Sequence, residues 1–577
     1  MKRFIMLALV ALVSIPAIAQ NAEIRIRGRV VDEQNLELIG AAVMVQGTVS
    51  GTVTDEAGRF DMTVKAGDNL EVSSIGYETY VFSATPGMDN LIIVLKEDKL
   101  LLSESVVVGY GTQSKAKLTG AVATVSTDDF KNRPITDVSV ALQGKVTGVS
   151  VVQNSGQPGA DAGTIIIRGT GTLNDSSPLV IVDGFESSFD KVDSKDIESI
   201  SVLKDAASAA IYGNKAANGV ILITTKSGKS GRTTVEYNGY VSVQQVTRYP
   251  ELLGSVDYMN LYNEACVNSG LMPQFTEEYI AHFDGTDNAM YPSNDWADFY
   301  FKPAILHNHY IKFNGGGDKV AYSVSAGYLD QDGIVDGTDY SKFSFRANTN
   351  GKFFHDRLTV STNISGYYGL QNDLIYGAES TIGRIVKMTP MTYAKIEGVG
   401  WTDWFYDDAV LEAGGYKRNK VSNFNGNVKL NLKIIEGLYI DAAFNFDQTI
   451  DLGTWYAPNV DVYKVITSAD GSQHISINTS NESFIRESTY RHGNISGFVT
   501  ANFNRTFGHH TVTALLGWQQ SQWFGKYYQT ERSRLTTNLP SLPMGDPASQ
   551  KNSAWASDVN NISYFGRVGY DYKSKYI

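Results

Sequence analysis

The residues with catalytic potential in this chain do not form a reactive set. Ser201 and Lys204 have the Ser-x-x-Lys spacing that places a serine nucleophile beside a lysine in penicillin-recognising enzymes. The companion Ser-Asp-Asn and Lys-Thr-Gly motifs are absent, and the segment predicts a strand instead of the start of a helix. No acid–base pair can be assigned among the carboxylates, because separation in space defines such a pair. We therefore predict that the protein is not an enzyme.

Three further patterns approach ligand-binding motifs without completing them, so we expect neither a metal nor a cofactor. Residues 213–219 have a glycine at each end but lack the Gly-Lys-Ser/Thr ending of a phosphate-binding loop. Residues 330–336 are rich in aspartate, but Ser341 stands where a calcium loop needs a bidentate glutamate. Two histidine pairs lack the spacing of zinc ligands: His307 with His309, and His509 with His510.

Tryptophans have the clearest potential for contact with a ligand. Flat aromatic rings can stack on the apolar faces of sugars or pack against peptide side chains. The competing interpretation is packing within large loops, together with an aromatic belt at a membrane interface. As a set they favour an uncharged ligand, either an oligosaccharide or a peptide. Five of them fall in segments that we predict to be long loops: Trp296, Trp401, Trp404, Trp455 and Trp555.

The composition excludes several classes of protein. The 577 residues carry a net charge of −12, which disfavours electrostatic binding of nucleic acid. A single cysteine, Cys266, cannot form an internal disulfide. No apolar run approaches the ~20 residues of a membrane-spanning helix. The chain contains 54 glycines and 32 tyrosines, and this composition is compatible with a membrane β-barrel.

The N-terminal residues are typical of a secretory signal. Lys2 and Arg3 precede an apolar core, and Ala17 and Ala19 supply the small residues of a cleavage site. We therefore predict a signal peptide over residues 1–19. Short alternating strands separated by turns follow over residues 20–97, and they predict a small all-β sandwich.

Residues 98–232 mix helical and strand patterns and predict a globular α/β unit. A helix is expected over residues 135–145, with Val138, Leu142 and Val146 on one face. A helical turn is expected over residues 206–212. The predicted strands are residues 164–169, 179–183, 197–204 and 220–226.

From Thr233 onward helical patterns fade, and ten long segments alternate between apolar residues and polar or small ones. In the first segment Val235, Tyr237 and Val241 share one face. Ten or more residues at this period are typical of a lipid-facing barrel strand. Strands of a soluble sandwich are usually shorter, with a mode of ~5–6 residues.

The connections between these segments alternate in length. Outer-membrane barrels have short turns on the periplasmic side and long loops outside. We predict short turns at residues 316–318, 355–356, 435–437 and 508–509, and long loops at 247–306, 330–340, 370–420, 451–489 and 524–558.

The chain also contains motifs that resemble those of a known family. Residues 20–97 are similar to the carboxypeptidase-regulatory-like, transthyretin-type β-sandwich. Residues 98–232 resemble the plug domain of the SusC/RagA family of TonB-linked outer-membrane transporters. That resemblance depends on motifs in a fixed order, which include Arg168-Gly169, Asp183-Gly184, Tyr212-Gly213 and Asn218-Gly219.

The resemblance implies an energy-coupling segment, the TonB box, between the accessory domain and the plug. A β-prone, initially unpaired strand there can be captured by strand addition onto a periplasmic partner. An ordinary linker strand is the alternative. The residues that match best are Val106, Val107, Val108, Gly109 and Tyr110.

The resemblance further implies an outer-membrane transporter that imports oligosaccharides or peptides. Its implied partners are a SusD/RagB-like surface lipoprotein, the TonB–ExbB–ExbD complex and outer-membrane lipid. A surface receptor that signals ligand occupancy to a periplasmic regulator is the second hypothesis. A surface hydrolase would require a catalytic set and an adhesin would require repeats, and the sequence shows neither. A passive porin is disfavoured because the plug would block its channel.

The expected fold is therefore an all-β sandwich, an α/β plug and a transmembrane antiparallel β-barrel over residues 233–577. Plugged transporters use about 22 strands, of which this chain supplies ten. Unpaired strand edges are forbidden in lipid. We therefore expect the barrel to be truncated; two chains completing one barrel is the alternative.

Overall fold

Ten long antiparallel strands dominate the computed structural model, and each pairs with the next in chain order. We call this sheet the wall. Its strands contain 13 to 24 residues. The ten predicted segments are thus confirmed as one continuous sheet. The wall strands are Gly231–Gln244, Ala304–Gly316, Val320–Asp332, Asp339–Phe353, Leu358–Asp373, Tyr416–Ile435, Leu438–Ala457, Phe484–Phe507, His510–Ser533 and Lys551–Tyr572.

The structure describes part of the chain, with several gaps. The signal peptide predicted over residues 1–19 lies outside the described residues, as do Gly109 and Tyr110. The described residues are 23–32, 37–46, 48, 50–74, 77, 79–96, 105–108, 111–114, 122–127, 133–172, 174–467, 473–478 and 482–572.

The two faces of the wall have opposite chemistry. Apolar side chains are exposed on the outer face, where Tyr564 and Val568 are 80% and 81% accessible. The inner face packs against the α/β unit and buries polar side chains. This inversion of a soluble protein's pattern confirms the predicted alternation and is typical of a sheet whose outer face meets lipid. Buried inner-face residues include Ser325, Asn348, Asn363, Asn445, Asn494 and Thr500.

The connections alternate between short and long, as predicted, but their bounds differ. The four short turns are residues 317–319, 354–357, 436–437 and 508–509. Strand pairing continues past the apolar residues into polar ones, because the ladder of backbone hydrogen bonds does not depend on lipid contact. The long loops are consequently shorter than predicted: 245–303, 333–338, 374–415, 458–483 and 534–550.

The long loops contain helices, which the sequence reading missed after Thr233. Helix starts are capped by side chains, as at Thr276 and Asp295. Two small hairpins, Lys395–Ile396 with Gly400–Trp401 and Tyr463–Thr467 with Gln473–Ile477, lie in the same loops. No helix among the described residues is long and apolar enough to cross a membrane. The loop helices are Ser255–Asn268, Glu277–Ala281, Trp296–Tyr300, Ala378–Ile385 and Tyr406–Glu412.

The α/β unit, which we call the plug, is built on a mixed five-stranded sheet beside a two-stranded hairpin. The predicted helix over 135–145 is shorter, Val138–Ala141, because Gly144 adopts a positive φ of 70°. Its three predicted core residues are nevertheless buried. The sheet order is Val122–Ser126, Ile197–Leu203, Val220–Thr225, Leu179–Val182 and Phe185–Glu186, and the hairpin pairs Val149–Gln153 with Gly163–Ile167. The short helices are Ala206–Ala209, Phe189–Lys191, Ser194–Asp196 and Ala210–Ala216.

The N-terminal sandwich belongs to a separate compact unit, residues 1–106 with 112–118. Its two sheets enclose a core that includes Ile26, Val43 and Leu70, all fully buried. The described strands confirm the predicted all-β fold. One sheet has the order Arg59–Lys65, Glu23–Val31, Leu91–Val94; the other has the order Gly51–Val53, Ala42–Val45, Asn69–Ser73, Tyr80–Ser83.

A charge on the outer face of the wall tests whether that face meets lipid. Leu516 is 69% exposed there, so a soluble sheet would tolerate Leu516→Arg. In lipid the same substitution should destabilise the folded protein by about 2–4 kcal/mol. Urea titration of folding into phosphatidylcholine vesicles measures this, with the inner-face Gln519→Arg variant as control. Equal stability of Leu516→Arg and wild type would contradict a lipid-facing wall.

Candidate functional site: the plug against the wall

Buried charges hold the plug against the inner face of the wall. Asp196 of the plug is only 6% exposed. It accepts hydrogen bonds from the Tyr310 hydroxyl at 2.6 Å and the Ser325 hydroxyl at 2.8 Å. The Arg346 guanidinium lies 3.8 Å from the same carboxylate. Tyr310, Ser325 and Arg346 come from three different wall strands, so a single plug carboxylate ties them together.

Asp183 makes the second contact to Arg346. It lies with Gly184 in a two-residue turn in which both φ angles are positive, 50° and 97°, which explains why glycine is suited to the second position. Its carboxylate accepts from the Thr225 backbone amide at 2.9 Å inside the plug. It also accepts from Asn363 of the wall at 3.2 Å and lies 3.5 Å from Arg346. Arg346 therefore bridges two plug carboxylates.

A second group of contacts lies at the short helix Phe189–Lys191. The Tyr367 hydroxyl donates to Asp190 at 2.7 Å, and the Lys191 ammonium contacts Asp447 of the wall at 2.6 Å. Burial alone would raise the pKa of Asp190, but hydrogen bonds from Ser188 and Tyr367 and the nearby lysines outweigh it and lower the pKa. Asp190 is thus held as a carboxylate by its partners.

Repulsion is also present at this surface. Burial and the neighbouring Asp196 carboxylate raise the pKa of Asp193. An apolar contact complements the charges, since the Phe185 ring of the plug lies 5.6 Å from the Phe498 ring of the wall. The plug is therefore held by specific attractive contacts, while the carboxyls of Asp193 and Asp196 repel each other at the same surface.

The plug motifs predicted from the sequence form turns within the plug and do not converge on one site. The Asn218 amide donates to the Asp175 carbonyl at 2.9 Å, and Tyr212 packs beside a small apolar core. Gly219 has a φ of 89°, and a Cβ there would lie 2.8 Å from Ile167. Arg168, Gly169 and Gly213 likewise have positive φ angles. Of the motif residues, Asp183 contacts the wall directly, since its carboxylate accepts a hydrogen bond from Asn363.

The segment predicted as a TonB box lies in a short strand. Ser105–Val108 pairs with Gly111–Ser114 in a two-stranded sheet. The expectation of an unpaired strand is therefore wrong for residues 105–108, because a neighbouring strand already satisfies one edge. Pairing in so small a sheet is weak, since an isolated two-stranded hairpin is at best marginally stable in water.

The structure separates the two interpretations of the five tryptophans, contact with a ligand and packing within the loops. Trp296 is 1% exposed and donates to the Thr389 carbonyl at 3.0 Å, so it belongs to a loop core. Trp401 is half-buried and hydrogen-bonded to Glu412. Trp455 and Trp555 lie in wall strands, since pairing extends beyond the apolar band. Trp404 is 44% exposed and lines a cavity of about 350 Å³ between the loops.

Sequence reasoning missed Arg346, Asp190 and Asp196. Arg346 lies on the inner face directly after Phe343 and Phe345, whose rings are exposed on the outer face. A charged residue in an alternating apolar strand is the only sequence signal for it. Its partners lie about 150 residues earlier in the chain, so no local spacing connects them.

Comparisons with protein families agree with this architecture. A family model described as TonB-dependent Receptor Plug Domain matches residues 114–220. A second, the CarboxypepD_reg-like domain, matches residues 26–108.

Curated relatives extend the match along the chain. TonB-dependent receptor SusC of Bacteroides thetaiotaomicron is 30% identical over all of this chain and 57% of its own length. TonB-dependent receptor P26 of Formosa agariphila is 31% identical over 94% of this chain and 54% of its own length. The chain thus spans about half the length of the curated relatives it matches.

Solved structures share the fold. The RagAB peptide importer in its open-open state superposes with a TM-score of 0.68 at 24% identity, over 82% of this chain and 55% of that chain. The plug model and the curated relatives are those of TonB-dependent receptors, and the solved structure shares the fold of plug and wall. The chain is thus similar to receptors of the SusC/RagA family along its whole length, and the curated relatives are named as receptors.

Removing the charge of Arg346 should loosen the plug. Arg346→Met leaves two plug carboxylates buried beside an apolar side chain, which costs about 3–5 kcal/mol for a broken buried pair. We expect trypsin to cleave the plug faster in detergent-solubilised Arg346→Met than in wild type, with Arg346→Lys in between. The exposed Lys420→Met controls for loss of a wall charge. Identical cleavage rates in all variants would contradict the role of Arg346.

The loops should respond to pH through Asp408. Burial raises its pKa to about 6, and Asp407 adds to the rise against the Tyr300 hydrogen bond. A carboxyl with a raised folded-state pKa favours the folded loops when protonated, so their stability falls as the pH rises from about 4 to about 6. Hydrogen exchange of residues 406–412, corrected for intrinsic rates, should be slower at pH 5 than at pH 8. Asp408→Asn should remove the difference, and the exposed Glu379→Gln should retain it.

Proposed function

We propose that the protein is a TonB-dependent outer-membrane transporter that imports large nutrients, oligosaccharides or peptides. The observation that carries this proposal is a folded plug seated on the inner face of a lipid-facing wall by the Arg346, Asp183 and Asp196 contacts. A passage closed in this way conducts only when the contacts break. The names of the relatives, TonB-dependent receptors and a peptide importer, support the same function.

Energy for opening must come from the periplasm, since the outer membrane has no ATP. The strand Ser105–Val108, which precedes the plug, is the segment where force can enter. An extended segment offers its backbone to a partner by strand addition, and the partner here is TonB with ExbB and ExbD. A SusD/RagB-like surface lipoprotein is the proposed second partner, by analogy with the family.

Signalling is the alternative function. The sandwich would then pass ligand occupancy to a periplasmic regulator. Signalling domains of such receptors are α/β, whereas the described residues of this sandwich are all-β. Transport is accordingly the favoured function.

Deletion of residues 104–111 should abolish uptake while leaving surface binding of the nutrient intact. The deletion removes the segment that transmits force but leaves the plug, wall and loops unchanged. Radiolabelled nutrient uptake and binding by whole cells measure the two properties separately. An eight-residue Gly-Ser replacement of 104–111 preserves the length of the linker and should also fail to transport. Uptake that survives either change would refute the coupling role.

Deleting residues 24–97 separates the two functions. A transporter should keep uptake without the sandwich, whereas loss of a transcriptional response with uptake retained would favour signalling.

A further inference from the structure

One strand in the long loops has a free edge beside a cavity. Tyr463–Thr467 pairs with Gln473–Ile477 in a two-stranded sheet. On its other side a single parallel bridge joins Tyr463 to Thr402. Beyond that bridge, no strand within the described residues pairs with this edge. Residues that follow the bridge in both segments line the same cavity.

The register identifies which backbone groups face the cavity. The Asn478 amide donates to the Val462 carbonyl at 2.8 Å, so residues 462 and 478 form a hydrogen-bonded pair. Hydrogen-bonded and non-hydrogen-bonded pairs alternate along an antiparallel ladder. Lys464 and Ile466 therefore bond to the neighbouring strand. Val465 directs its N–H and C=O to the open edge.

The cavity has the dimensions and lining of a ligand site. Its volume of about 350 Å³ falls within the range of about 300–1,000 Å³ typical of such sites. Residues 464–466 and residues 402–404 both contribute to its lining. Aromatic rings of Phe275, Tyr279 and Trp404 supply apolar walls, and these positions come from two of the long loops.

The charges at the cavity are of both signs. Asp403 and Lys464 are both among the residues that line it. The Asn478 amide donates to Asp403 at 3.2 Å, which fixes the carboxylate in place. A ligand with an amine and carbonyl or carboxylate groups would match this pair.

We propose that this cavity binds an extended peptide by strand addition to the Val465 edge. The inference rests on the transport function proposed above and narrows its substrate class to peptides. A peptide backbone supplies the alternating N–H and C=O groups that an open strand edge requires. Every second side chain of the bound peptide then packs against the aromatic rings that line the cavity. A glycan has no such backbone repeat and therefore cannot extend the sheet at the Val465 edge.

The test uses peptide probes on the full-length protein in detergent. The probe is the pentapeptide Ala-Leu-Phe-Leu-Ala, with affinity measured by calorimetry. One analogue carries N-methyl groups on the amides of peptide residues 2 and 4. The other carries them on the amides of peptide residues 3 and 5. Because strand addition uses one edge of the peptide, one analogue should lose at least tenfold in affinity and the other should stay within threefold. Equal affinities for both analogues would overturn the proposal.

A variant tests the same edge from the side of the protein. Val465→Pro removes the outward N–H, and an edge strand tolerates proline there because that N–H does not serve the ladder. We expect at least a tenfold loss of pentapeptide affinity. Val465→Ala keeps the N–H and should stay within threefold of wild type. Unchanged affinity in Val465→Pro, or binding of maltoheptaose in place of the peptide, would refute the site.

Failure here is distinguishable from failure of the transport function. If uptake requires residues 104–111 while no peptide binds at Val465, transport stands and the peptide site is wrong. If the pentapeptide binds as expected while uptake persists without residues 104–111, the site stands and the coupling is wrong.

Discussion

A sheet whose outer face meets hydrocarbon can hold polar side chains only on its inner face, and each of them then needs a partner from protein or water. In this protein the plug supplies many of those partners. Arg346 shows the dependence most clearly, because its guanidinium is 6% exposed and lies between Asp183 and Asp196. Neither carboxylate nor guanidinium would be stable at that depth alone. The wall and the plug therefore require each other's charges.

Such contacts suit a plug that must close the passage at rest and move when force is applied to it. Buried ion pairs contribute modestly to net stability because desolvation offsets attraction, yet removing one partner is costly. The Asp193 carboxyl, close to Asp196, adds an unfavourable proximity to the same surface. When the plug is held by a few directional contacts, a force applied at one end can break these contacts one after another. A continuous apolar interface would instead resist along its whole area.

The sequence predicted the parts of this fold that depend on local spacing. The period-two pattern of Val235, Tyr237 and Val241 identified the outer face, since every second residue of a strand shares a face. Asp183-Gly184 was noted only as a motif of the family resemblance, and the structure shows that it is a turn. Arg346 was missed because its partners are distant in sequence. Trp455 and Trp555 were placed in loops because the wall strands continue beyond the lipid as polar residues. In those segments the strand no longer shows the alternation of apolar and polar residues on which the prediction relied.

The long loops have cores of their own, which bears on how binding and opening relate. Trp296 and Phe405 lie 5.1 Å apart at the centre of one such core, and Asp407 is held there by Arg384. These contacts join loop to loop and do not involve the plug. A site supported in this way keeps its shape whether the plug is seated or displaced. Ligand capture at the loops and force on the plug can therefore act on separate sets of contacts, so a change to one set need not alter the other.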